Sequence, residues 1–111
     1  MAERDWVCED LLTGKMKVDV IWEDKRALSF LAEPDPRFKM HAIIVPKKHV
    51  SYVTDPEAID GKALESMMLA VQKTAAALGV DKTGFYVRFN AAFPEVTPHI
   101  HWHLISVEPK P

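Results

Sequence analysis

The stretch that most constrains this chain is Thr97-Pro98-His99-Ile100-His101-Trp102-His103-Leu104-Ile105-Ser106, which holds three of its five histidines at alternate positions. Alternation of apolar and polar residues is the signature of a strand with one buried face. Read as a strand over Thr97–Ser106, it puts Ile100, Trp102 and Leu104 on the buried face. His99, His101 and His103 then share the opposite face, where an imidazole can serve as nucleophile, acid, base or metal ligand near neutral pH.

The rest of the chain has to supply a core for that strand. With 111 residues, 48% of them hydrophobic, the chain is one domain spanning 1–111, able to bury about 60–70% of its unfolded surface. The single cysteine, Cys8, forms no internal bridge, which fits a reducing compartment. The N-terminus lacks the pattern of a signal peptide and no apolar run approaches the roughly 18 residues of a membrane span, so a cytoplasmic location without membrane association is expected. Fourteen Lys and Arg against sixteen Asp and Glu, net charge -2, lack the basic excess of a nucleic-acid-binding domain. A small anionic ligand needs only local donors and remains open.

Residues Asp5 to Thr13 are expected to form a short helix ending at Gly14. Val18–Trp22 and Ala27–Leu31 are β-prone runs split by Glu23-Asp24-Lys25-Arg26, the pattern of a hairpin. Two prolines make Glu33–Arg37 a loop, and His41–Val45 reads as a buried strand stopped by Pro46. Thr54-Asp55-Pro56-Glu57 has the form of a capping box, and Asp60 is a second helix start. From there Leu64, Met67, Met68, Val71, Ala75 and Leu78 recur at helical spacing up to Gly79, a core stripe. Gly84–Asn90 is a further strand with Phe85, Val87 and Phe89 on one face. The histidine strand closes the domain, with Pro109–Pro111 as a frayed tail. No repeat or low-complexity segment interrupts this order, and runs of strands around one long helix predict an α+β domain with a mainly antiparallel sheet.

One histidine on a wet strand face is ordinarily a polar residue and nothing more, but strand preference does not select three in register. A metal explains two of them at most: alternate side chains start about 6.6 Å apart, which leaves His99 and His103 about 13 Å apart. Nucleophilic catalysis employs all three. His101, neutral, can attack through one nitrogen while the other donates to a carbonyl that fixes its tautomer, with flanking donors holding an anionic substrate. His41, Lys47, Lys48, His49 and Asn90 are the further donors available.

His99-Ile100-His101-Trp102-His103-Leu104-Ile105 resembles the defining motif of the histidine triad (HIT) superfamily. His41-Ala42-Ile43-Ile44-Val45-Pro46-Lys47-Lys48-His49 resembles its second signature, and Asn90 matches a family asparagine that contacts phosphate. With hairpin and helix in the family's order, the likeness spans about residues 5–107. It implies a HIT-like fold, a homodimer whose sheets join across the subunit interface, and nucleotidyl hydrolase or transferase chemistry of the nucleotide-hydrolase branch. In that scheme His101 attacks the α-phosphorus to give a nucleotidyl-histidine intermediate, His103 and Asn90 contact phosphate oxygens, and His99 and His49 support the site. Nucleoside phosphoramidates, aminoacyl adenylates and dinucleoside polyphosphates are the implied substrates, and no cofactor is required.

Several positions depart from the family pattern. Ala91–Pro98 has no glycine and sets Glu95 and Val96 where the family has glutamine and a hydroxyl, with Thr97 a substitute if the loop shifts. Ala32 stands where the family places a ribose-binding acid, leaving Glu33 or Asp35 as displaced candidates. An alternative is therefore a nucleotide-binding module with little turnover. Some relatives hold structural zinc through two cysteines and two histidines. The corresponding set here is Asp5, Cys8, His49 and His99, against the alternative of a lone buried cysteine beside a solvated aspartate.

Overall fold

The computed structural model describes residues 5–89 and 97–106; Asn90, Glu95, Val96 and the expected tail lie outside the described residues. Within them, β1 (Val20–Glu23), β2 (Ala27–Leu31), β3 (Met40–Pro46), β4 (Tyr86–Arg88) and β5 (Trp102–Ser106) make one sheet in the order β1-β2-β3-β5-β4. Every neighbouring pair is antiparallel, and α1 (Gly61–Leu78) packs on one face. This is the α+β architecture that the sequence predicts.

The hairpin closes where Asp24 breaks the apolar run: its carboxylate accepts from the backbone N–H of Arg26 (2.7 Å) and Ala27 (2.8 Å), an Asx turn that also satisfies the start of β2. The capping box at Thr54 behaves differently from expectation. The Asp55 carboxylate accepts backward from Tyr52 N–H, and the chain makes only one 3-10 turn, Pro56–Ala58, before Ile59 leaves helical geometry. The Asp60 signal is the operative one. Its carboxylate caps Ala63 N–H at 3.2 Å, and Gly79, at φ 74°, ends the helix in the left-handed conformation.

The face α1 buries is rotated from the expected stripe. Met67, Val71 and Ala75 are buried, but Leu64 and Met68 are exposed, and Ser66, Ala70 and Thr74 take their places against the sheet. Small residues let the helix approach closely, and the two buried hydroxyls satisfy each other, Thr74 Oγ1 donating to Ser29 Oγ at 2.7 Å. This layer, with Ala27, Ala42, Ile44 and Leu104, is the larger core. At about 1.5–3 kcal/mol for each large side chain buried, it is the main stabilising term.

The other sheet face is only partly covered. The expected N-terminal helix is a single wide turn, Val7–Leu11, closed by Leu12 N–H to Val7 C=O, and Gly14 (φ 83°) releases the chain. It lays Val7 and Leu11 over Leu28, Phe30 and Val45. Beyond it the register runs one row across four strands: Phe30 opposite Ile43, Ile43 opposite His103, His103 opposite Arg88. Directly opposed residues share a face, so this row lies on the face away from α1.

The histidine stretch is not strand throughout. β5 begins at Trp102, because Pro98 has no N–H, His99 N–H donates to Thr97 C=O and Ile100 N–H donates to Val50 C=O (2.8 Å). The backbone groups a strand would offer to its neighbour are already used. His99 therefore does not share a strand face with the other two.

Candidate functional site

The stretch through His99 and His101 divides the histidines into two groups. His101 sits one residue before β5, half-buried, with Nδ1 2.9 Å from the carbonyl oxygen of His99. A carbonyl only accepts, so Nδ1 carries the proton and a neutral His101 keeps its lone pair on Nε2. That is the tautomer a nucleophile attacking through Nε2 requires. The His103 ring lies 5.1 Å from it, centroid to centroid, and His103 Nδ1 is 2.9 Å from His41 Nε2 on β3. Burial, with His101, His41 and Arg88 nearby, pushes His103 down to about 4, and burial also lowers His41. Both rings are neutral at pH 7 and bond to each other as donor and acceptor.

Trp6 frames this group from the N-terminal turn. Its ring is 6.2 Å from that of His101 and edge-on to Phe30 at 6.3 Å, and its Nε1–H donates to Thr97 Oγ1 at 2.7 Å. Trp6, Val18, Phe30, Ile43 and Glu33 line a groove of about 560 Å³ on the same sheet face. An apolar floor with an acid in its lining, bounded by the Trp6 ring that stands beside His101, suits a flat, partly polar molecule.

His99 faces the other way and is fully buried. Its Nε2–H donates to the Pro46 carbonyl at 2.7 Å, and its Nδ1 lies 3.2 Å from Asp5 Oδ2 and 3.5 Å from Cys8 Sγ. His49 Nδ1 completes the cluster, 2.6 Å from Asp5 Oδ2 and 3.8 Å from Cys8 Sγ, with His49 Nε2 3.1 Å from Ser51 Oγ. The donor atoms of the four residues all lie within 4.8 Å of one another. A tetrahedral zinc with bonds of about 2.0–2.3 Å sets its ligand atoms roughly 3.3–3.6 Å apart. The edges of 3.2, 3.5 and 3.8 Å fit that frame, whereas the 2.6 Å edge is a hydrogen bond that metal entry would lengthen.

The chemistry of the donors also fits. With the His99 Nε2–H committed to Pro46, its Nδ1 lone pair faces a carboxylate unless a proton or a cation lies between, and this outer hydrogen bond is the usual partner of a metal-bound imidazole. Burial raises the Asp5 carboxyl, but the Cys8 amide, the Cys8 thiol and His99 outweigh it and hold Asp5 below its ordinary value. Burial, Asp5 and Glu9 push the Cys8 thiol up to about 11. Without a cation the thiol stays protonated; a divalent ion would draw off its proton.

A HIT domain model matches residues 13–110. The chain belongs to the HIT domain family. An uncharacterized HIT-like protein of Methanocaldococcus jannaschii is 31% identical over 98 residues, covering 86% of this chain and 73% of that protein. Among solved structures, a HIT family hydrolase from Legionella pneumophila is 28% identical with a TM-score of 0.78, covering 90% of each chain. A histidine triad protein from Clostridium difficile is 26% identical with a TM-score of 0.80, covering 100% of this chain and 97% of that one.

Set against this HIT fold, the expected site residues separate. His101, His103 and His41 come together; Glu33 lines the neighbouring groove, and Thr97 reaches it only as the acceptor of the Trp6 N–H. His41, expected among the substrate contacts, is bonded to His103 and lines a separate hollow of about 400 Å³ with Phe38. His99 and His49, expected beside the reacting histidine, point their rings into the Asp5–Cys8 cluster. His99 reaches His101 only through its main-chain carbonyl. Asn90 lies outside the described residues. Two residues escaped the sequence reading. Trp6 gave no signal of its own, being known only as a residue between Asp5 and Cys8. Arg88 was legible by parity, since placing Phe85, Val87 and Phe89 on one face sends Tyr86 and Arg88 to the other.

Proposed function

We propose that this HIT protein is a nucleotidyl hydrolase or transferase in which His101 Nε2 attacks the α-phosphorus of a nucleotide. The observation that carries the reading is the 2.9 Å bond from His101 Nδ1–H to the His99 carbonyl, which leaves the lone pair on the other nitrogen, beside the Trp6 wall of the groove. On this reading the base and ribose lie over Phe30 and Ile43 against Trp6, and Glu33 of the same groove takes the ribose hydroxyls; the lining of the groove supports this. In the first step the bond from phosphorus to His101 forms as the bond to the leaving group breaks, the electron pair departing with that group. Water then adds to phosphorus and releases a proton to solvent, the bond to His101 breaks with its electron pair returning to Nε2, and the neutral imidazole is restored. Because the His103–His41 pair is neutral, it can donate one hydrogen bond to a phosphate oxygen without holding the anion so tightly that turnover suffers.

Either a phosphoramidate or a phosphoanhydride fits this scheme. The Asp5, Cys8, His49 and His99 cluster would hold a structural zinc that joins the N-terminal turn to the entrance of β5. The exposed edge strand β4, with Tyr86 and Val87 at the surface, suits pairing of two copies into a homodimer. His101→Ala tests the reading with a fluorogenic adenosine phosphoramidate and with diadenosine tetraphosphate. Loss of turnover on an unchanged fold supports it. Retained turnover overturns it, and tight AMP binding by a wild-type protein that turns over neither substrate supports the binding-module alternative.

A further inference from the structure

The row Phe30–Ile43–His103–Arg88 crosses the sheet in a single register, and its chemistry changes in order from aromatic to aliphatic to imidazole to guanidinium. Strands lie about 4.8 Å apart, and directly opposed side chains start roughly 5 Å apart. With the nucleoside on Phe30 and Ile43 and the α-phosphate at His101 and His103, the leaving group departs in line with and opposite to His101 Nε2. Arg88, directly across from His103 on the same face and exposed, has a side chain long enough to reach over that path. The nearest comparable cation, Arg37, is held by Asp35 through two guanidinium nitrogens, whereas Arg88 forms no ion pair among the described residues. It stands directly opposite His103 on the same face of the sheet, and its charge is felt at both His103 and His41.

We infer that Arg88 is a specificity-determining residue that selects substrates whose leaving group is anionic, a phosphate chain in preference to an amine. When a phosphoanhydride is cleaved, the bridging oxygen keeps the electron pair and negative charge grows on the departing phosphate, where a guanidinium donates charge-assisted hydrogen bonds. When a phosphoramidate is cleaved, the nitrogen must take up a proton and leaves as an amine, which gains nothing from a cation beside it. This inference rests on the α-phosphate lying at His101 and His103.

The test compares two substrates with one nucleotide part, diadenosine tetraphosphate and adenosine 5′-phosphomorpholidate, in wild type, Arg88→Ala and Arg88→Lys. The ratio of kcat/KM for the anionic over the uncharged leaving group is expected to fall roughly 10- to 100-fold in Arg88→Ala, the loss typical of one charge-assisted contact. Partial recovery is expected in Arg88→Lys, which restores the charge without the fork. A ratio unchanged in Arg88→Ala, whether both rates fall together or neither moves, overturns the inference. If the wild type turns over neither substrate, the His101 reading fails separately, and equilibrium binding decides Arg88. Calorimetry should then show that wild type favours adenosine 5′-(α,β-methylene)diphosphate over AMP and that Arg88→Ala abolishes the preference; an equal preference in both proteins overturns it.

Discussion

The two histidine groups of this domain each draw on both signatures and behave as opposites. His99 and His49 converge with Asp5 and Cys8 on a point inside the protein, and the buried His99 is saturated with partners. His101 and His103 lie beside Trp6 and Ile43, which line an open groove, and His101 keeps one nitrogen without a partner among the described residues. The backbone makes the difference. A strand carried through Thr97 would have laid all three rings on one surface; the departure from strand geometry before Trp102 turns His99 inward and leaves its carbonyl for His101. One short segment thus couples an anchoring cluster to a reacting one through a single main-chain oxygen.

Substitutions that separate the groups should have different readouts. The largest effect is expected at His101: His101→Ala should lower kcat/KM at least about a thousandfold, since no nearby group replaces an attacking nitrogen, with little change in unfolding free energy. A parallel loss of stability would place His101 in the anchoring group. His99→Ala should behave in the reverse sense, costing about 2–4 kcal/mol in urea unfolding, because it empties a buried site and leaves the Pro46 carbonyl without its donor. His103→Ala, half-buried, should cost about 1 kcal/mol by the same measurement.

Metal sharpens the contrast next. If the cluster binds zinc, elemental analysis of the purified chain should find one ion per chain. Zinc at about a hundred times its Kd should add about 2.7 kcal/mol, seen in calorimetry as a Tm roughly 10 °C above that of the chelated protein. Cys8→Ser should remove most of that rise, whereas Arg88→Ala should leave it intact; a rise unaffected by Cys8→Ser would place the ion elsewhere.

The smallest effect concerns acid. The folded-state pKa of His103 is pushed down to about 4 from an ordinary value of 6.5, so between these values the unfolded chain binds more protons. Stability should rise with pH across that window, be complete above about 6.5 and be lost toward 4. His103→Asn should flatten the slope measured by urea unfolding at several pH values. An unchanged slope would assign it to other groups.

Much of this was legible in the residues. The hairpin around Asp24 and the helix from Asp60 to Gly79 each follow from a period or a cap, and each is present, whereas the alternation over His99–Leu104 is strand only from Trp102 on. The family resemblance joins Asp5, Cys8, His49 and His99 in one set, and the four meet. The errors arise where tertiary packing overrides local pattern. Thr54 met the formal rule for a cap, but Asp55 turned back to Tyr52. Leu64 and Met68 lost the core to Ser66 and Thr74 because closeness to Ser29 outweighed side-chain size. His99 left the strand because hydrogen bonds to Val50 and within the Thr97 turn used the backbone, and no periodicity encodes that.

The central claim is that His101, and neither of its neighbours, bonds to phosphorus. Rapid acid- or base-quenched mixing with an adenosine phosphoramidate, followed by mass mapping of the fragment containing residues 97–106, tests it directly. A nucleotidyl group on His101 that forms and decays at the rate of turnover, and is absent from His101→Ala, is the predicted result. An adduct on His99 or His103, or turnover with no adduct on this fragment, would contradict it.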